Sequence, residues 1–116
     1  MATRCHLSSE DAILLREMVE FAYRVRGYVE GMTLAEFESN QEKQDAVTYR
    51  VGVIGEAARN VSVDTTDAID LDWRGITSMR NRLFHGYGEV DVNLLWKTVA
   101  DYLPPMIATL ERYLAP

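Results

Sequence analysis

Apolar residues recur at every third or fourth position through most of this chain, and that spacing leaves little besides helices to build with. Leu14, Leu15, Met18, Phe21, Ala22, Val25, Tyr28 and Val29 fall at helical intervals, as do Val47, Val51, Ile54, Ala57, Ala58 and Val61. A third series runs through Leu95, Val99, Tyr102, Leu103, Met106, Ile107, Leu110, Tyr113 and Leu114. Strand-type alternation is nowhere convincing. The predicted fold is therefore all-α, an antiparallel bundle of four main helices plus one short helix in a single domain spanning residues 1–116.

Capping residues place the boundaries. Ser8, with Asp11 three positions on, opens the first helix, and Gly31 ends it. Thr33 and Glu36 form a capping box for a short helix of one or two turns. Asn40 caps the third helix, which carries Gly52 and Gly55 inside it. Each glycine costs a helix about 1 kcal/mol against alanine, so close packing against another helix, within the chain or between subunits, is the expected compensation. Ser62 to Leu71 is acidic, rich in Thr and aperiodic, and is expected to be a loop. Asp72 caps a helix from Trp73 to about Phe84, terminated by Gly86 and Gly88. Asp91 caps the long last helix, which Pro104 and Pro105 should bend or restart.

An apolar content of 47% in 116 residues is enough for a core without disulfide or metal staples. Twelve basic against 18 acidic residues give a net charge of −6, which excludes a broad basic surface for sequence-independent nucleic-acid binding. A small basic site inside an acidic shell is still allowed. Only Lys43 and Lys97 are lysines, so nearly all positive charge is arginine, the side chain suited to bidentate phosphate recognition. Cys5 has no partner for an intrachain disulfide, and Cys5 with His6 falls short of a tetrahedral metal site; no metal or cofactor is expected. The first residues carry no apolar run and no stretch approaches the length of a membrane span, so the expected setting is cytoplasmic and reducing.

Chemistry concentrates in Arg80-Asn81-Arg82-Leu83-Phe84-His85-Gly86-Tyr87. On a regular helix Arg80 and His85 stand about 140° apart, so they converge only if the arginine reaches and the glycines unwind the backbone at His85. A histidine in a last helical turn titrates near neutrality and can give or take a proton. A guanidinium beside it can hold a phosphate, and the pair suffices for phosphodiester cleavage by an internal ribose hydroxyl. A helix C-cap with a surface ion pair fits the same two residues. Outside this segment, Tyr23, Tyr28 and Tyr49 suit either base stacking or core packing. Arg50 and Arg59 suit either an RNA path or a solvated face, Glu56 an interface helix, and Trp73 and Trp96 the core.

The segment matches R-x(4)-H-x-Y and resembles the signature of HepT-like toxins within the HEPN ribonucleases. The surrounding residues agree in order. Val53-Ile54-Gly55-Glu56-Ala57-Ala58 resembles the family's Ile-Gly-Glu-Ala helix, and Trp73-Arg74-Gly75-Ile76 followed by Met79-Arg80-Asn81 resembles its Trp-x-x-Ile and Met-Arg-Asn run. Val90-Asp91, Leu95-Trp96 and Leu103-Pro104 resemble its last helix, and the likeness extends from about residue 10 to 114. The resemblance implies an α-helical homodimer with two motifs meeting in one interfacial cleft, and a metal-independent RNA endonuclease that serves as the toxin of a type VII toxin–antitoxin module. It further implies an MntA-like nucleotidyltransferase antitoxin that moves AMP from ATP to the motif tyrosine.

Carried over by position, Arg80 would stabilise the scissile phosphate, His85 would act as general acid and base, Asn81 would support the cleft, and Tyr87 would accept AMP. Two copies of Arg80 and Arg82 across a two-fold axis would concentrate positive charge locally. The substrate would be a tRNA or mRNA. The alternative expectation is a catalytically silent HEPN interaction module that binds nucleotide or a nucleotidyltransferase partner.

Overall fold

A computed structural model describes residues 7–84 and 86–114, with Tyr87 described by its backbone alone. Cys5 and His6 lie outside the described residues. The helices are α1 (Ser9–Tyr28), α2 (Leu34–Glu38), α3 (Gln41–Arg59), α4 (Val63–Ala68), α5 (Trp73–Leu83), α6 (Val92–Lys97) and α7 (Leu103–Leu114). Among the described residues there is no strand, and no helix is long and apolar enough to cross a membrane.

Side-chain caps set the helix starts where the sequence places them. Ser8 accepts from the Asp11 backbone N–H, Asn40 from Lys43, Asp72 from Gly75 and Asp91 from Leu94. Thr33 and Glu36 complete both halves of the capping box. α1 ends at Tyr28, and Gly31 turns the chain with φ +76°, a left-handed backbone that favours glycine.

α3 is the central element. It packs along α1 on one side and α5 on the other, while α7 closes against α1. The seam holds Leu15, Met18, Ala22 and Val25 from α1, Val47, Val51 and Ile54 from α3, and Leu103, Met106, Ile107 and Leu110 from α7. Phe37 of α2 is fully buried and meets Trp96 of α6 with ring centroids 5.2 Å apart. Trp73 donates its indole N–H to the Ile69 carbonyl at 2.9 Å. Both tryptophans are half-buried and pack against the core, as the sequence reading expects.

One local departure has a physical cause, and one junction falls where the prolines place it. The stretch expected as a loop, Ser62 to Leu71, contains α4. Ser62 caps it, and the buried carboxylate of Asp11 in α1 accepts from the Ser62 hydroxyl at 2.5 Å, the Thr65 hydroxyl at 2.5 Å and the Ser62 backbone N–H at 3.1 Å. Apolar periodicity is absent because this helix is held by polar bonds and by Ile69 and Thr65 alone on its buried side. At the other end, Thr98–Tyr102 forms one π-type turn between α6 and α7, with the Leu103 N–H bonded to the Thr98 carbonyl. Pro104 and Pro105 cannot donate to carbonyls four residues back, and both stand in the first turn of α7, which starts afresh at Leu103 as the sequence reading expects.

Burial works to raise the Asp11 pKa, but the bonds from Ser62 and Thr65 outweigh it and hold the carboxyl below its ordinary value of 3.8. A carboxyl whose folded pKa is depressed stabilises the fold above the unfolded pKa, and that contribution is lost as pH falls through the folded value. Asp11→Asn is expected to cost about 1–3 kcal/mol at neutral pH and to flatten the loss of stability on the acid side. Chemical denaturation at pH 7 and below pH 4 reads both effects.

Candidate functional site

α5 lies close to α3 because Gly55 has no side chain. A Cβ at Gly55 would stand 3.0 Å from the Ile76 carbonyl oxygen. The glycine therefore compensates its helical cost inside the chain, through the α3–α5 contact. One turn earlier on α3, Gly52 leaves space over which the aliphatic stem of Arg80 runs, with its Cδ 3.8 Å from where a Cβ would be.

Arg80 thereby reaches into a groove of about 790 Å³ whose floor is α3 and whose far wall is the loop after α5. Gln44, Thr48, Tyr49, Gly52 and Val53 line the floor, and Phe84, Gly88 and Val90 the wall. The guanidinium rests over the Phe84 ring, 5.9 Å from its centroid, and forms no ion pair with any described carboxylate. Three carboxylates, Asp45, Glu56 and Glu89, also border the groove. Two of them are engaged: Asp45 accepts from the Gln41 amide at 2.8 Å, and Glu56 pairs with Arg59 at 2.8 Å. Arg59 also donates to the Thr77 carbonyl at 2.8 Å, stitching α3 to α5.

The loop that carries the rest of the motif is pinched at its base. Phe84 and Val90 form an isolated antiparallel bridge, and the Asp91 N–H bonds to the Leu83 carbonyl at 2.7 Å. Between them Gly86–Gly88 makes a 3₁₀ turn, and Gly88 takes φ +78°, which a β-branched or bulky residue would resist. The helix thus ends at Leu83 and the backbone leaves it before position 85, in keeping with the expected unwinding. His85 itself lies outside the described residues, and Tyr87 is placed in the 3₁₀ turn by its backbone.

The other motif residues point elsewhere. Arg82, two positions from Arg80, is turned by about 200° around α5. It bends back to the Gly75 carbonyl at 3.3 Å and the Met79 sulfur at 3.9 Å, lining a separate, more apolar cavity of about 440 Å³ beside Thr98 and Tyr102. Asn81 is exposed and is not among the described residues lining the Arg80 groove. No three His, Cys, Asp or Glu side chains gather in metal-binding geometry among the described residues.

One cluster escapes a residue-by-residue reading. Arg50 lies between Phe21 and Tyr49, 5.0 and 5.4 Å from their ring centroids, and its Nε donates to the Tyr28 hydroxyl at 3.3 Å. The sequence offers each of these residues singly. Only the α1–α3 contact joins them, although Phe21 and Tyr28, seven apart on one face of α1, were the signal available.

The ribonuclease HepT-like family model matches residues 15–113 of the chain. A protein of Thermococcus cleftensis named "Probable ribonuclease HepT" is 29% identical over 99 residues, covering 84% of this chain and 90% of that protein. From Methanocaldococcus jannaschii, "Putative RNase MJ1380" is 30% identical over 98 residues, with 84% and 90% covered. "Putative RNase MJ0127" of the same organism is 27% identical over 99 residues, with 84% and 82% covered. No solved structure matches the chain.

The two glycines of α3 separate packing from propensity. Gly55→Ala forces a methyl against the Ile76 carbonyl. Overpacking costs about 1–3 kcal/mol and exceeds the helical gain of about 1 kcal/mol, so a net loss of about 1 kcal/mol is expected. Gly52→Ala meets only an ordinary contact and is expected to gain up to about 1 kcal/mol. Urea denaturation of both variants checks the opposite signs.

Proposed function

The chain belongs to the ribonuclease HepT-like family, and from that premise we propose that it is the RNA-cleaving toxin of a type VII toxin–antitoxin module, acting as a homodimer. The observation that carries this reading is Arg80: a guanidinium in an open groove with no ion pair to a described carboxylate, five residues before His85 and seven before Tyr87. An arginine kept free of carboxylates costs the protein a favourable pairing and gains it an anion site.

The chemistry follows from the residue types. A two-fold contact over the groove gathers two Arg80 and two His85 around one RNA phosphate. One imidazole takes the proton of the ribose 2′-hydroxyl, the O2′–P bond forms, and the P–O5′ bond breaks. The second imidazole protonates the leaving 5′-oxygen, giving a cyclic phosphate and a 5′-hydroxyl end. Arg80 stabilises the charge that builds on the phosphoryl oxygens. No metal is needed for any of these steps. Such a contact leaves Arg82 on the opposite side of α5, so its supporting part in this reading is to the fold of α5 and not to the phosphate.

Neutralisation uses the same geometry in reverse. Tyr87 stands two residues past His85, and AMP transferred to it by a nucleotidyltransferase antitoxin brings an anionic phosphate to the place the RNA phosphate must occupy. Repulsion and bulk then exclude substrate without unfolding the protein. The carboxylates around the groove favour one rival reading, a catalytically silent module that engages a nucleotidyltransferase partner.

With EDTA present, the wild-type protein is expected to cleave single-stranded RNA and to leave cyclic-phosphate ends. His85→Ala and Arg80→Ala should each lower the rate by about 10²–10⁴-fold. Coexpression with an MntA-like nucleotidyltransferase should add AMP-sized mass to the wild type and none to Tyr87→Phe. Equal RNA degradation by wild type and His85→Ala favours the silent module.

A further inference from the structure

We propose that Tyr49 and Arg50 form a nucleotide subsite beside the Arg80 phosphate site, in which the Tyr49 ring stacks a base and Arg50 holds the neighbouring phosphate of single-stranded RNA. This rests on the nuclease reading for the identity of the strand, while the subsite itself is built from other residues.

The placement is direct. Tyr49 lies three residues before Gly52 on α3, about one helical turn (~5.4 Å) from the point where the Arg80 stem crosses. It lines the same groove and is 65% exposed, an unusual state for an aromatic ring on the central helix of a bundle. Arg50 covers one face of the ring, and the open groove leaves room for a base on the other.

Arg50 is pre-organised. Phe21 and Tyr49 flank its guanidinium and the Tyr28 hydroxyl takes its Nε–H, which fixes the plane. No described carboxylate pairs with it. Its terminal nitrogens are therefore free for a phosphate, and little side-chain entropy remains to be lost on binding. Arg50 and Arg80 share this design, a guanidinium on aromatic support without an acid. Arg24 and Arg59, by contrast, are tied to Glu20 and Glu56.

The test uses the full-length protein and a short single-stranded 2′-O-methyl oligoribonucleotide, which lacks the attacking hydroxyl and cannot be cleaved. Fluorescence anisotropy is expected to show roughly 5- to 100-fold weaker binding for Tyr49→Ala and near wild-type binding for Tyr49→Phe. Arg50→Gln should lower the slope of log affinity against log salt by about 0.7, the loss of one phosphate contact on a single strand. Unchanged affinity in Tyr49→Ala, or no binding by the wild type, overturns the subsite. So does a drop in assembly mass in Tyr49→Ala, because the ring would then be a contact between copies of the chain. Cleavage of the matching unmodified RNA is scored separately. A wild type that binds the probe through Tyr49 but leaves RNA intact refutes the nuclease and keeps the subsite, and the reverse pattern does the opposite.

Discussion

The approach of α5 to α3 at Gly55 is the contact on which the rest of the site depends. The Ile76 carbonyl oxygen stands at the limit of where a methyl on Gly55 could be tolerated, so this crossing has little room for a side chain. That closeness lets Arg80 lay its stem across Gly52 and hold its guanidinium over Phe84, in the groove between α3 and the loop after α5. Arg59 holds the same seam from the other direction by bonding the Thr77 carbonyl. An interaxial distance enlarged by one methyl would lift the guanidinium off the groove floor, while leaving most of the core, which lies between α1, α3 and α7, in place.

What could be read from sequence was what local chemistry decides. Ser8, Thr33, Asn40, Asp72 and Asp91 each act on an N–H three residues away, so their helices begin where the residues say. α4 was not legible because its decisive partner, Asp11, is 51 residues distant from Ser62. Asp11 reads in sequence as half of an N-terminal signature for α1. Its backbone does serve that role, but its carboxylate belongs to another helix. The double proline was legible as the place where the last helix restarts: both prolines fall in the first turn of α7, behind one widened turn.

The same distinction runs through the site. That Arg80 and Arg82 point to opposite sides of α5 follows from 100° per residue, and the expectation that both serve one two-fold cleft overlooked it. That Gly55 marks a close helix contact was also legible, though not which helix it meets; the same expectation fails for Gly52, which faces only the Arg80 stem at an ordinary distance. The unwinding after Leu83 was foreseeable from two glycines in three residues, and the bridge between Phe84 and Val90 shows how the exit is fixed. The setting of Arg50 was invisible, because Phe21, Tyr28 and Tyr49 come from two helices and any of them alone is an ordinary packing residue.

A chain of net charge −6 that handles a polyanion looks contradictory only if charge is counted without regard to partners. At contact distances an ion pair on the surface is worth little and is screened within about 8–10 Å, so distant carboxylates weigh less than whether a nearby guanidinium is already engaged. Here the acids bordering the groove are partly taken up by Gln41 and Arg59 on the same helix. Arg50 and Arg80 are supported by aromatic rings, which hold a guanidinium in place without neutralising it. Positive charge kept this way is local and directional, and it avoids the broad basic surface that would bind any nucleic acid. A second copy of the chain across the groove would double that local charge without altering the acidic exterior. Symmetry is thus the economical route by which an acidic protein of this size can acquire an anion site.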